Sequence, residues 1–163
     1  MKNKATRKTE NATKAFIGLA FYRATTSVLN VGITDFTEIG KAWENDYGEP
    51  TISEFCEGVN YLIDKGIITL CHNERMLTFT DAVSAYSVSD LVTAANIFEG
   101  VIVVGGGYLE LEEFFDDNED MNLYALYQGK KFGITSLYNA RDILFKFGLL
   151  RISADGLYII GVN

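Results

Sequence analysis

Apolar positions along the chain fall into short stretches of helical or strand period, separated by capping residues and glycines. An amphipathic segment covers residues 15–29 and ends near Gly32. Asp35-x-x-Glu38 then reads as a capping box opening a second helix, with Phe36, Ile39 and Trp43 on its apolar side. Beyond the turn Tyr47-Gly48-Glu49-Pro50, Thr51-x-x-Glu54 opens a third helix. Its Phe55, Val59, Leu62 and Ile63 recur at the i, i+4, i+7, i+8 spacing of one buried face. Lys65-Gly66 supplies the glycine that ends many helices. Ile67–Cys71 and Met76–Thr80 follow as two short strands around the polar turn His72-Asn73-Glu74-Arg75. The predicted order is three helices and a β-hairpin.

That order returns in the second half. With a shift of 82 residues, Ile52, Phe55, Leu62, Gly66, Ile67, Ile68 and Leu70 fall on Ile134, Leu137, Leu144, Gly148, Leu149, Leu150 and Ile152. Upstream a shift of 84 places Ile39, Ala42 and Trp43 on Leu123, Leu126 and Tyr127. The second hairpin turns at Ala154-Asp155-Gly156, and Asp-Gly between apolar runs is a strong hairpin signal. The first helix of this half is predicted over Ser89–Val104, ending at Gly105-Gly106-Gly107. An acidic insertion, 109–120, has no counterpart in the first half: residues 110–120 hold seven acids in eleven positions, interrupted by Leu111, Phe114 and Phe115. Leu109 and Leu111 have strand spacing and Leu111, Phe114 and Phe115 helical spacing, and a short helix is expected there.

Thr51–Thr80 and Ile134–Ile160 carry a resemblance: each half is similar to a winged helix-turn-helix domain, and the pair resembles tandem winged-helix proteins. The implied fold is α+β and mainly helical, two tandem units of three helices plus a hairpin wing. The expected division is a basic flexible tail at 1–14, a first unit at 15–85 and a second at 86–163. Members of this superfamily either lay the third helix in the DNA major groove or use the same surface to meet another protein, and fold alone does not choose.

Charge bears on that choice. The chain has 163 residues and a net charge of -8, distributed unevenly. Residues 1–14, with Lys2, Lys4, Arg7, Lys8 and Lys14, sum to +4, whereas 15–85 and 86–163 sum to -6 each. An acidic body repels a phosphate backbone at long range. No apolar run nears the roughly 18 residues of a membrane span, and the N-terminus has no signal-peptide core, so a cytoplasmic location is expected. Only two cysteines occur, Cys56 and Cys71, both expected as buried thiols of a reducing compartment.

The outward faces of the third helices are the candidate sites. Residues about 100° apart project Glu54, Glu57, Tyr61 and Asp64 to the outside of the first, a face too acidic for a DNA groove. On the second, Leu137, Ala140, Leu144 and Phe147 point inward and Tyr138, Arg141, Asp142 and Phe145 outward. Residues 127–154 sum to +4 in an otherwise acidic body. Two readings follow. Tyr138, Arg141 and Phe145, with Glu57, Tyr61 and Asp64, form the expected protein-docking set, since aromatic residues and arginine dominate interface hot spots. In the alternative, a DNA-binding transcription regulator, Ser136, Asn139 and Arg141 read bases while Lys130, Lys131, Lys146 and Arg151 hold phosphates, helped by the basic tail. The bland reading of the same face is a solvated helix surface.

Catalytic and cofactor signatures are missing from the sequence. His72 stands in a turn with no nucleophile beside it, and Cys56, Cys71 and His72 lack the paired spacing of a zinc site. Gly105-Gly106-Gly107 is followed by Tyr108-Leu109 rather than the Lys of a phosphate loop, and is expected as a flexible connector. Asp116, Asn118 and Asp120 have calcium-loop spacing, but Met121 replaces the needed glycine and Tyr127 the bidentate glutamate. The acidic run also suits a nucleic-acid mimic, or simply favours the N-terminus of the helix after it. The expectation is a regulatory adaptor or inhibitor, of a kind phages encode, without catalysis, cofactor, metal or small-molecule substrate. Its partner is a protein rather than DNA or a membrane, and a homodimer is compatible with it.

Overall fold

The computed structural model describes residues 6–26, 30–32, 51–71, 76–110 and 134–163. The expected helix over 35–43, the His72–Arg75 turn, the acidic run beyond Glu110, the helix carrying Leu123, and Lys130 and Lys131 lie outside the described residues. What is described is mainly helical with two small antiparallel sheets.

Helix α1 spans Arg7–Thr26. It starts well before Ala15, because Thr6 and Thr9 cap it reciprocally: each backbone N–H donates to the other's hydroxyl, at 3.0 and 3.2 Å. Thr9, Asn11, Ala12 and Thr13 are buried, so the described part of the expected tail is a packed helix and not a flexible arm. Strand β1, Asn30–Gly32, follows. Helix α2, Ile52–Asp64, has the predicted capping box: Glu54 N–H donates to Thr51 Oγ1 and Thr51 N–H to Glu54 Oε1, both at 3.1 Å. The hairpin of β2, Ile68–Cys71, and β3, Met76–Phe79, completes the first half.

A short helix α3, Asp81–Ser84, leads to α4, Val88–Glu99, which carries a second capping box between Ser87 and Asp90 and runs into one π-helical turn, Gly100–Val104. Strand β4 is Tyr108–Glu110, α5 is Ile134–Lys146, and β5, Leu150–Ile152, pairs with β6, Tyr158–Gly161. Leu109 therefore belongs to a strand where a short helix was expected to begin. The glycine run before it is a defined turn and not a loose connector. Gly106 and Gly107 take φ of 69° and 103°, and Gly107 both donates to the Val101 carbonyl and accepts from Gly161 N–H.

Each sheet has three strands rather than the two of a bare hairpin. The orders are β1-β3-β2 and β4-β6-β5, so in both cases the strand after the half's first helix pairs with the far strand of the hairpin. The backbone bonding of the halves matches at the 82-residue offset. Ile68 faces Phe79 as Leu150 faces Gly161, and Leu70 faces Leu77 as Ile152 faces Ile159. Gly66, at φ 80°, donates to Ile63 O, and Gly148, at φ 74°, to Phe145 O. Ile67 N–H donates to Leu62 O and Leu149 N–H to Leu144 O, while Thr80 and Val162 close the sheets on Ile67 and Leu149.

The buried side chains of both halves form one cluster. Helices α1 and α4 pack together at its centre, α2 lies on α1 and α5 on α4. Both central helices are buried around nearly their whole circumference, at residues 15–20 and 93–98. Such all-round burial fits helices at the centre of a core rather than helices with a single apolar stripe.

Candidate functional site

Helix α5 positions the face that the sequence singles out. Ala140, Ile143 and Leu144 are fully buried, and Leu137, Phe145 and Phe147 pack against the core from partly buried positions. Tyr138 points outward at 41% exposure, and the Arg141 guanidinium lies 5.0 Å from its ring centroid. The i, i+3 spacing brings the two together, and a planar cation over an aromatic face is held by the ring quadrupole. Asp142 and Lys146 are exposed on the same helix. Phe145, expected in one outward stripe with Tyr138 and Arg141, instead turns partly into the core, because it follows Leu144 by only about 100°.

Two residues expected to read bases are instead bonded to α4. Asn139 Nδ2 donates to Asp90 Oδ2 at 3.0 Å, and Ser136 Oγ lies 3.0 Å from Ser89 Oγ. Both tie α5 to α4, and Asp90 also accepts from Ser87 N–H in the α4 cap. A side chain holding two helices together is not free to enter a groove.

The acidic face of α2 is likewise smaller than expected. Glu57 Oε1 accepts from Asn11 Nδ2 at 3.0 Å and lies 4.0 Å from Arg7 Nε, so it faces α1. Glu54 is engaged in the cap, where the bonds from Thr51 hold its carboxyl below the usual range. Asp64 is exposed as expected. Tyr61 is a correction: expected outside, it is 1% exposed. Its ring stacks on Phe98 at 6.2 Å and its hydroxyl donates to the Val162 carbonyl. Burial pushes that hydroxyl's pKa well up. Projection of the isolated helix missed this because the covering groups belong to the second half. Cys56 is also corrected, being a free and exposed thiol one residue past the inward Phe55.

Sequence reasoning missed two residues on the second hairpin: Ile152 is 49% exposed and Leu157 60%. The available signal was Leu157 directly after the Asp155-Gly156 turn, where Asp155 Oδ1 accepts from Ser153 Oγ and Leu157 N–H. Arg151 is exposed between Leu150 and Ile152. Among the described residues no three or more His, Cys, Asp or Glu side chains group as a metal site, and no helix is long and apolar enough to cross a membrane. His72 and the calcium-like spacing lie outside the described residues.

No family model, curated protein or solved structure matches the chain.

Proposed function

We propose that this chain is a non-catalytic regulatory protein of two winged-helix units, an adaptor or inhibitor that docks on another protein through the outer side of α5. Tyr138 carries the proposal. A large aromatic side chain left 41% exposed, with a guanidinium set over it at 5.0 Å, is a pre-ordered anchor of the type that dominates protein interfaces. The exposed Ile152 and Leu157 add apolar area on the second hairpin. Two features support the winged-helix reading: the repeated order of helix, strand, helix and hairpin, and in each half the pairing of the early strand with the far hairpin strand.

DNA binding through α5 is the weaker reading, because Ser136 and Asn139 are spent on α4. The experiment is a binding titration with a partner captured by cross-linking in the native host and then purified. Tyr138→Ala is expected to weaken that complex by at least about 1–2 kcal/mol, with little salt dependence. The opposite result is a DNA complex that weakens steeply with salt, is abolished by Arg141→Ala and is indifferent to Tyr138→Ala. That outcome would replace protein docking by DNA recognition.

A further inference from the structure

Lys8 and Lys65 come from different elements, the first turn of α1 and the C-cap of α2, yet both reach the ring of Tyr61. Their ammonium nitrogens lie 5.9 and 5.3 Å from its centroid. The ring cannot swing away, because its hydroxyl is bonded to the Val162 carbonyl and it is stacked on Phe98. Among the described residues neither ammonium has a carboxylate within salt-bridge distance, although the protein's net charge is -8. Asp64 acts on Lys65 only from farther off, while burial and the charge of Lys8 make its protonated form less favourable than usual. Two like charges thus lie within 5.9 Å of the centre of one fixed ring, Lys8 disfavouring the protonated form of Lys65, and among the described residues neither is closed off by an ion pair.

We propose that Lys8 and Lys65, set over the ring of Tyr61, form a receptor for a phosphate monoester dianion. A charge of about -2 matches the two ammonium groups, and lysine binds phosphate as a point charge without demanding a fixed bidentate geometry. A carboxylate would leave one ammonium uncompensated. A nucleic-acid diester carries one charge per phosphate and would draw a polyanion across Asp64 and Glu57 on the same helix. This site is independent of the docking face on α5.

The test uses the full chain and inorganic phosphate as probe, titrated at constant ionic strength against chloride. Calorimetry and the NMR signals of the lysine ammonium groups provide the readouts. Saturable one-to-one binding is expected, weakened about thirtyfold by Lys8→Gln or by Lys65→Gln, the effect of removing one charge about 4 Å from a dianion in water. Lys65→Arg should keep most of the affinity, and Arg151→Gln and Tyr138→Ala should leave it unchanged. Phosphate that binds no better than chloride would overturn the proposal, as would lysine variants indistinguishable from the unaltered protein. A short DNA duplex that binds more tightly than phosphate with the same lysine sensitivity would reassign the site to nucleic acid.

Discussion

Replacing Gly58 by alanine sets two effects of opposite sign against each other. Helix propensity alone makes the change favourable by about 1 kcal/mol, since Gly58 lies inside α2. Packing opposes it. A Cβ at Gly58 would come within 2.7 Å of the Asn11 carbonyl carbon, closer still to its oxygen, and 3.0 Å from Ala15 Cβ. The Asn11 atoms are backbone of α1 and cannot rotate aside, so relief requires the two helices to separate along their buried contact. Overpacking of this kind costs about 1–3 kcal/mol, and the backbone clash places it at the upper end. The net expectation is a loss of about 1–2 kcal/mol, a fall in Tm of roughly 2–8 °C for a chain of this size. Thermal and urea unfolding followed by circular dichroism would measure it, with an unchanged m-value showing that the denatured state is unaltered. At the position 82 residues on, Ala140 already carries a Cβ and is fully buried, so Ala140→Gly should destabilise as well. A Gly58→Ala protein as stable as the original, or more so, would refute the close α1–α2 contact.

Gly66→Ala and Gly148→Ala should each cost about 1–2 kcal/mol, because both residues hold a left-handed φ that a side chain strains; unfolding melts of the two variants, compared for equal losses, check it. Thr51→Ala should cost about 1 kcal/mol near neutral pH by removing the α2 cap. Glu54 has its folded pKa below the ordinary 4.5, so its share of that stability is full above 4.5 and disappears as pH falls through the lowered value. The difference in stability between the original protein and Thr51→Ala should therefore shrink across that acid range, and a difference independent of pH would contradict the pairing.

The parts of the fold legible in the sequence are those fixed by neighbours along the chain. Thr51 and Glu54, the glycines after α2 and α5, and the Asp155-Gly156 turn are local arrangements, and their bonds recur where the pattern put them. Strand β1 was hidden, and the strand spacing at Leu109 was passed over for a helix, because β1 and β4 are each three residues long and paired with a strand about fifty residues away, as Asn30 with Thr78 and Tyr108 with Ile160. The start of α1 was hidden because Thr6 and Thr9 cap it in place of the usual glutamate, and because buried Thr9 and Thr13 read as polar. Within the candidate site, Tyr138 and Arg141 were legible from helical spacing. Tyr61 and Asn139 were not, since what engages each lies on another helix: Phe98 and Asp90, respectively.

Tyr61 also bears on how the molecule is made. Its hydroxyl acceptor, Val162, lies 101 residues further along the chain, and its stacking partner Phe98 is in the second half as well. At translation rates of about 5–20 residues per second, the first half waits roughly 5–20 s after Tyr61 is polymerised before that carbonyl exists. During this interval the side of α2 that will carry Tyr61 inward is wet, and apolar surface meant for the core faces the ribosome and its chaperones. A nascent chain halted near residue 85 should therefore be cut readily by protease within α1 and α2, and become resistant only after the last strand has been released from the exit tunnel.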